Sequence, residues 1–146
     1  MVATGPFLRP AFTPPPAKLA LAKAMRLAVP AMTNELDPNG LSRDAGVVRS
    51  YVSDPLVHNK VSVRAGLDIL EAGEWAIAHA GEFSLPSLLT HGALDSIASL
   101  KGTQDFASRV PGDCTLKVWD GLYHEIHNEP EKQEVLDFVI GWLDRH

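Results

Sequence analysis

From residue 85 onward, short apolar runs alternate with helical patterns, and this alternation narrows the fold more than any other feature of the 146-residue sequence. Residues 85–91 (Leu-Pro-Ser-Leu-Leu-Thr-His) have strand length and lie between Gly81 and Gly92. A short apolar run between punctuation residues suits a buried parallel strand. Residues 96–110 read as a helix stopped by Pro111-Gly112, and residues 114–119 as a second strand ended by Asp120-Gly121. Pro130 suits the first turn of a closing helix, whose stripe is Val135, Leu136, Phe138, Val139, Trp142 and Leu143. Strand, helix, strand, helix in this rhythm predicts a parallel α/β sheet.

The first half is punctuated differently. Six prolines fall in the first 30 residues, a loop-rich opening in which residues 2–5 suit the end of a short buried strand. Residues 17–29 are rich in helix formers, with Leu21, Met25, Ala28 and Val29 on one face. Asp37-Pro-Asn-Gly is a turn signal. Ser42 reads as the N-cap of a helix over 43–52, and Ser62 as the N-cap of a longer one from Val63 to about Ala80. In that second helix Val63, Leu67, Leu70 and Ile77 recur at helical spacing.

Composition excludes several classes. At 45% hydrophobic and 21% charged, the chain is too apolar for wholesale disorder. A formal charge of -5, with the 13 Lys and Arg scattered, argues against nucleic acid as a partner. The single cysteine, Cys114, has no internal partner and reads as an inert buried thiol. No apolar run approaches a membrane span and no signal peptide opens the chain, so the expected location is cytoplasmic.

Two loops carry the residues suited to chemistry. Each follows a strand at its carboxyl end, where open α/β sheets place their sites. The first is His91-Gly-Ala-Leu-Asp95, and the second runs from Gly121 through His124 to Pro130. A carboxylate on one loop can hold an imidazole on the next in a single tautomer and stabilise its protonated form. Read from the residues alone, however, Asp95 is more simply a carboxylate favoured by the dipole of the helix after it. His124 is likewise readable as an ordinary loop histidine, and His91 as a structural one. His124 and His127 lack the spacing and helical setting of a zinc site, and no metal is expected. His58, His79 and His146 read as surface residues, and Trp75, Trp119 and Trp142 as packing residues. Glu125, Asn128 and Glu129 read either as tethers of the histidine loop or as caps of the last helix, and Asn128 or Glu129 just ahead of Pro130 suits capping.

These loops also resemble the monoacylglycerol-lipase or serine-aminopeptidase-like group of α/β-hydrolases. That group carries P-x-L-x-x-H-G-x-x-D and, later, G-x-x-H-E-x-x-N-E before a helix ending in Trp-Leu. The matches are Pro86, Leu88, His91, Gly92 and Asp95, then Gly121, His124, Glu125, Asn128 and Glu129, then Trp142-Leu143. Residues 37–44 and 51–56 resemble the group's lid and the segment after it. The resemblance implies a partial α/β-hydrolase fold of three parallel strands with a helical lid insertion. Residues 1–10 would end the core strand before the lid, residues 11–59 would form the lid, and residues 60–146 would close the core. Asp95 would be the triad acid and His124 the general base of an ester hydrolase that uses neither metal nor organic cofactor. A lipid ester would be the substrate of the complete enzyme.

One departure stands against that implication. The group's nucleophile lies in a Gly-x-Ser-x-Gly elbow upstream of the acid and the histidine, and no such motif occurs in these 146 residues. The expectation is therefore a C-terminal portion without the nucleophile half, inactive alone, with a bare strand edge prone to self-association. A non-catalytic module docking through that edge, or a portion of a related peptidase or thioesterase, are the alternatives.

Overall fold

The computed structural model describes residues 1–146. A three-stranded sheet forms its centre. Strand β1 (Val2–Thr4) and strand β5 (Cys114–Trp119) flank strand β4 (Ser87–Gly92), and both pair with it in parallel. Val2 stands opposite Leu88, and Leu89 opposite Leu116. All six residues of β4 are buried, the polar Ser87, Thr90 and His91 among them, and both bounds of β5 fall where the punctuation predicts. The strand at residues 2–4 is real, although only half-buried, because β1 has no neighbour on its outer side.

Helices cover both faces. Helix α3 (Val63–Ala78) and helix α4 (Leu100–Ala107) lie on one side, where Ile77, Ala80, Leu89 and Phe106 form a cluster with Leu116 and Cys114 packed against it. On the other side lies helix α5 (Lys132–Leu143), whose Trp142 indole N–H donates to the Thr115 hydroxyl at 3.2 Å. The Phe138 ring meets Trp119 edge-on at 5.7 Å.

Between β1 and α3 the chain builds a separate layer: helix α1 (Pro16–Ala28), strand β2 (Thr33–Glu35), helix α2 (Ala45–Ser53) and strand β3 (Lys60–Ser62). β2 and β3 pair antiparallel, Thr33 opposite Ser62. The apolar face of α1 is not buried, with Leu21 and Val29 exposed. Charge holds the helix instead: the Arg26 guanidinium bonds Asp68 at 2.6 Å and Glu71 at 2.9 Å on α3.

Several local expectations shift, each for a visible reason. Ser62 caps α3 as expected, accepting from the Ala65 amide, and Val63, Leu67 and Ile77 are buried. α2 is capped by Asp44 and not by Ser42, whose hydroxyl is spent on the Asn128 carbonyl. α4 starts at Leu100 under a Ser99 cap, four residues late, because residues 96–98 turn around the Asp95 carboxylate. α5 begins after Glu131, so Pro130 precedes the helix, and neither Asn128 nor Glu129 caps it. Trp75 is exposed and stacks on His79, and Cys114 is only half-buried. No helix is long and apolar enough to cross a membrane.

Gly73 marks the tightest helix contact. A Cβ there would lie 2.0 Å from the Leu8 carbonyl oxygen, whereas one on Gly66 of the same helix would meet nothing within 4 Å. Alanine inside a helix is ordinarily favoured over glycine by about 1 kcal/mol. Gly66→Ala is accordingly expected to stabilise the chain by up to about that amount. Gly73→Ala, which must push backbone apart, is expected to destabilise it by about 1–3 kcal/mol. Urea unfolding of the two variants checks the opposite signs; a stabilised Gly73→Ala would contradict this packing.

Candidate active site

The chain turns sharply where β4 ends. Gly92 is required there: a Cβ would lie 2.2 Å from the Tyr123 carbonyl oxygen and 2.4 Å from that of Leu122. The loop after β5 therefore rests directly on the end of β4. This close approach brings Asp95 and His124 together from 29 residues apart, with His124 Nδ1 2.8 Å from Asp95 Oδ2.

The Asp95 side chain is fully buried, and each of its oxygens is used. Oδ1 accepts from the backbone N–H of Ile97 and of Ala98, both at 2.8 Å. Oδ2 faces His124 Nδ1 and, at 3.2 Å, His91 Nε2. Burial pushes the carboxyl up. The hydrogen bonds from His124, His91 and the Ala98 amide outweigh that effect, and the group is held well below the usual carboxylate range.

The tautomers follow from the partners. An ionised carboxylate only accepts, so His124 must donate its Nδ1–H, which leaves Nε2 with the lone pair when the ring is neutral. About a quarter of the His124 side chain is exposed (23%), so the pair is a buried acid under a reachable base. His91 is fully buried and structural, as its strand-end position suggested. Its Nε2 lies 3.1 Å from the Ala98 carbonyl and near Asp95, both acceptors, and so carries the proton. The Thr103 hydroxyl then donates to His91 Nδ1 at 2.9 Å.

Other groups stand apart. No serine hydroxyl hydrogen-bonds His124; Ser96 lies beside a surface hollow of about 410 Å³ that it lines with Asp37, Asn39, Gly40, Leu94 and Tyr123. His127 is exposed and takes no part, and no three His, Cys, Asp or Glu side chains converge as metal ligands. The sequence signals did not distinguish Thr103, a helix residue of ordinary type, or the part played by Arg43. Of the two tasks read for Glu129, a tether of the histidine loop and a helix cap, it performs the first. It is buried, and its carboxylate bonds Arg43 and the Tyr123 amide.

An acid–imidazole pair on adjacent strand ends of a parallel sheet is the arrangement of a hydrolase core, and comparison with known proteins agrees. Residues 1–131 match the serine aminopeptidase S33 family, and the chain belongs to that family, with a partial α/β-hydrolase fold. It is 35% identical over 149 residues to a monoacylglycerol lipase of Mycolicibacterium smegmatis, which covers 100% of this chain and 53% of the relative. It is 37% identical over 146 residues to an abhydrolase domain-containing protein of Dictyostelium discoideum, covering 97% of this chain and 16% of that one. The crystal structure of a monoacylglycerol lipase from Paleococcus ferrophilus superposes with a TM-score of 0.89 at 32% identity, over 97% of this chain and 57% of that one. The chain thus spans about half the length of the two monoacylglycerol lipases.

The Asp95 arrangement carries a pH signature. A carboxyl titrating below its unfolded value near pH 3.9 adds stability above that value, and the contribution is lost as pH falls through the folded titration. Asp95→Asn is expected to cost about 1–3 kcal/mol near neutrality and to flatten the acid limb of stability below about pH 4. Urea midpoints measured across pH check this; an acid limb equally steep in both proteins would show that Asp95 is not the linked group.

Proposed function

We propose that this chain supplies the acid and the general base of a serine hydrolase that cleaves carboxylic esters of the monoacylglycerol kind. The 2.8 Å bond between Asp95 and His124 carries the reading, because it fixes the imidazole with Nε2 free to take a proton. Membership of a hydrolase family and the likeness to monoacylglycerol lipases support the substrate class.

In this reading the nucleophilic serine comes from outside these 146 residues, which hold no Gly-x-Ser-x-Gly. His124 Nε2 takes the serine proton as the hydroxyl oxygen bonds the ester carbonyl carbon, and Asp95 stabilises the imidazolium. The imidazolium then gives that proton to the departing glycerol oxygen as its bond to the carbonyl carbon breaks, leaving an acyl-enzyme. Water, deprotonated by the same nitrogen, attacks the acyl carbon; the returned proton frees the serine and a fatty acid. The layer formed by residues 11–59 would cover the acyl chain.

A second reading, a non-catalytic module, rests on the open edge of β1 and the apolar groove of about 390 Å³ beside it, lined by Met1, Ala3, Leu8, Trp75 and Phe106 among others. One experiment separates the two. This chain is grafted in place of the matching segment of the Mycolicibacterium smegmatis enzyme, and the chimera is assayed on a monoacylglycerol. The chimera is expected to turn over, and to lose about a thousandfold or more in kcat/KM on His124→Ala. A folded, active chimera indifferent to His124→Ala would sink the first reading. A folded but inactive one would favour the second.

A further inference from the structure

The loop that carries His124 has no regular structure beyond a single turn at residues 126–128, and yet an imidazole that must meet Asp95 needs a fixed backbone. Glu129 provides the fixing. Its side chain is fully buried; Oε1 accepts from the Tyr123 amide at 2.8 Å, one residue before His124, and closes the loop around buried Leu122 and Ile126. The same carboxylate accepts from the Arg43 backbone N–H at 3.2 Å and from Arg43 Nε at 2.9 Å, across 86 residues. Arg43 Nη2 also reaches Glu131.

Arg43 belongs to the segment that leads into α2, and its neighbours repeat the connection. The Leu41 carbonyl accepts from the Glu125 amide at 2.8 Å, the Gly40 carbonyl from the His124 amide at 3.4 Å, and the Ser42 hydroxyl donates to the Asn128 carbonyl at 3.0 Å. Residues 40–43 are thus zipped along the histidine loop, and the one buried charge in the zipper is Glu129.

We infer that Arg43 and Glu129 are positioning residues for His124: their ion pair holds the histidine loop in register with Asp95 and couples it to the layer of residues 16–62. The inference rests on the reading of Asp95 and His124 as a working pair. A buried carboxylate without its cation is not tolerated in place, so loss of Arg43 drives Glu129 toward water and takes the Tyr123 hydrogen bond with it. The imidazole then loses its alignment although neither Asp95 nor His124 has changed. Arg26 also ties the same layer to the core, through Asp68 and Glu71, but touches nothing on the histidine loop. Its loss should leave the imidazole where it is.

The test is the Nδ1–H proton of His124, followed by NMR on the histidine-labelled 146-residue chain, with folding confirmed by circular dichroism. A carboxylate partner moves this proton to low field and protects it from solvent. The wild-type chain is expected to show it and Asp95→Asn to lose it; a wild type without it would overturn the pair itself, and this inference with it. With the pair present, Arg43→Ala is expected to speed solvent exchange of the proton about tenfold or more, and Arg26→Ala to leave it unchanged. Wild-type exchange in Arg43→Ala, or equal acceleration in Arg26→Ala, would overturn the positioning role. Should Arg43→Ala fail to fold, Arg43→Lys decides: it keeps the charge but not the fork of donors, so faster exchange supports the role and wild-type exchange overturns it.

Discussion

Burial along a whole strand makes a polar side chain costly unless it has partners, and on β4 the His91 imidazole is fully partnered while the hydroxyls of Ser87 and Thr90 are not. Leu88 and Leu89 meet this constraint by being apolar. His91 meets it with three partners, Thr103, the Ala98 carbonyl and Asp95. Those partners in turn set the path of the chain beyond the strand. The residues after Gly92 fold back around the Asp95 carboxylate, and α4 starts late as a result. The acid is thereby desolvated, ionised and aimed at the end of β5.

The second consequence lies on the neighbouring strand end. Because Gly92 lacks a side chain, the loop after β5 can lie against it, and His124 arrives over Asp95 from a segment with little structure of its own. His124 is then held by two carboxylates of different kinds. Asp95 fixes the ring, and Glu129, paired with Arg43, fixes the backbone that bears it. The exposed layer formed by α1, α2 and the β2–β3 pair is joined to the core at this second point and, more weakly, through Arg26.

The parallel sheet could be read from the chain because β4 and β5 are short apolar runs between strong punctuation, and local signals suffice for that. The long helix α3 was legible for the same reason, with Ser62 before it and Val63, Leu67 and Ile77 inward. What escaped was decided across the fold. Ser42 has the chemistry of a cap, but an Asn128 carbonyl 86 residues away claims its hydroxyl. Glu129 is readable locally as a tether of the histidine loop or as a cap, and an arginine in a different layer decides between them by pairing with it in the interior. Asp95 and His124 were singled out on motif residues, and the contact between them became visible only once the two strands were side by side.

In the proposed function the base and its acid lie in this chain and the nucleophile outside it, and that division is open to direct measurement. A fluorophosphonate labels a serine only when a base has activated it, and intact-mass spectrometry of the treated 146-residue chain reads the result. No adduct is predicted on any of its nine serines at reagent levels that saturate a monoacylglycerol lipase. An adduct that forms on the chain and disappears in His124→Ala would contradict the account, because the nucleophile would then lie within these residues.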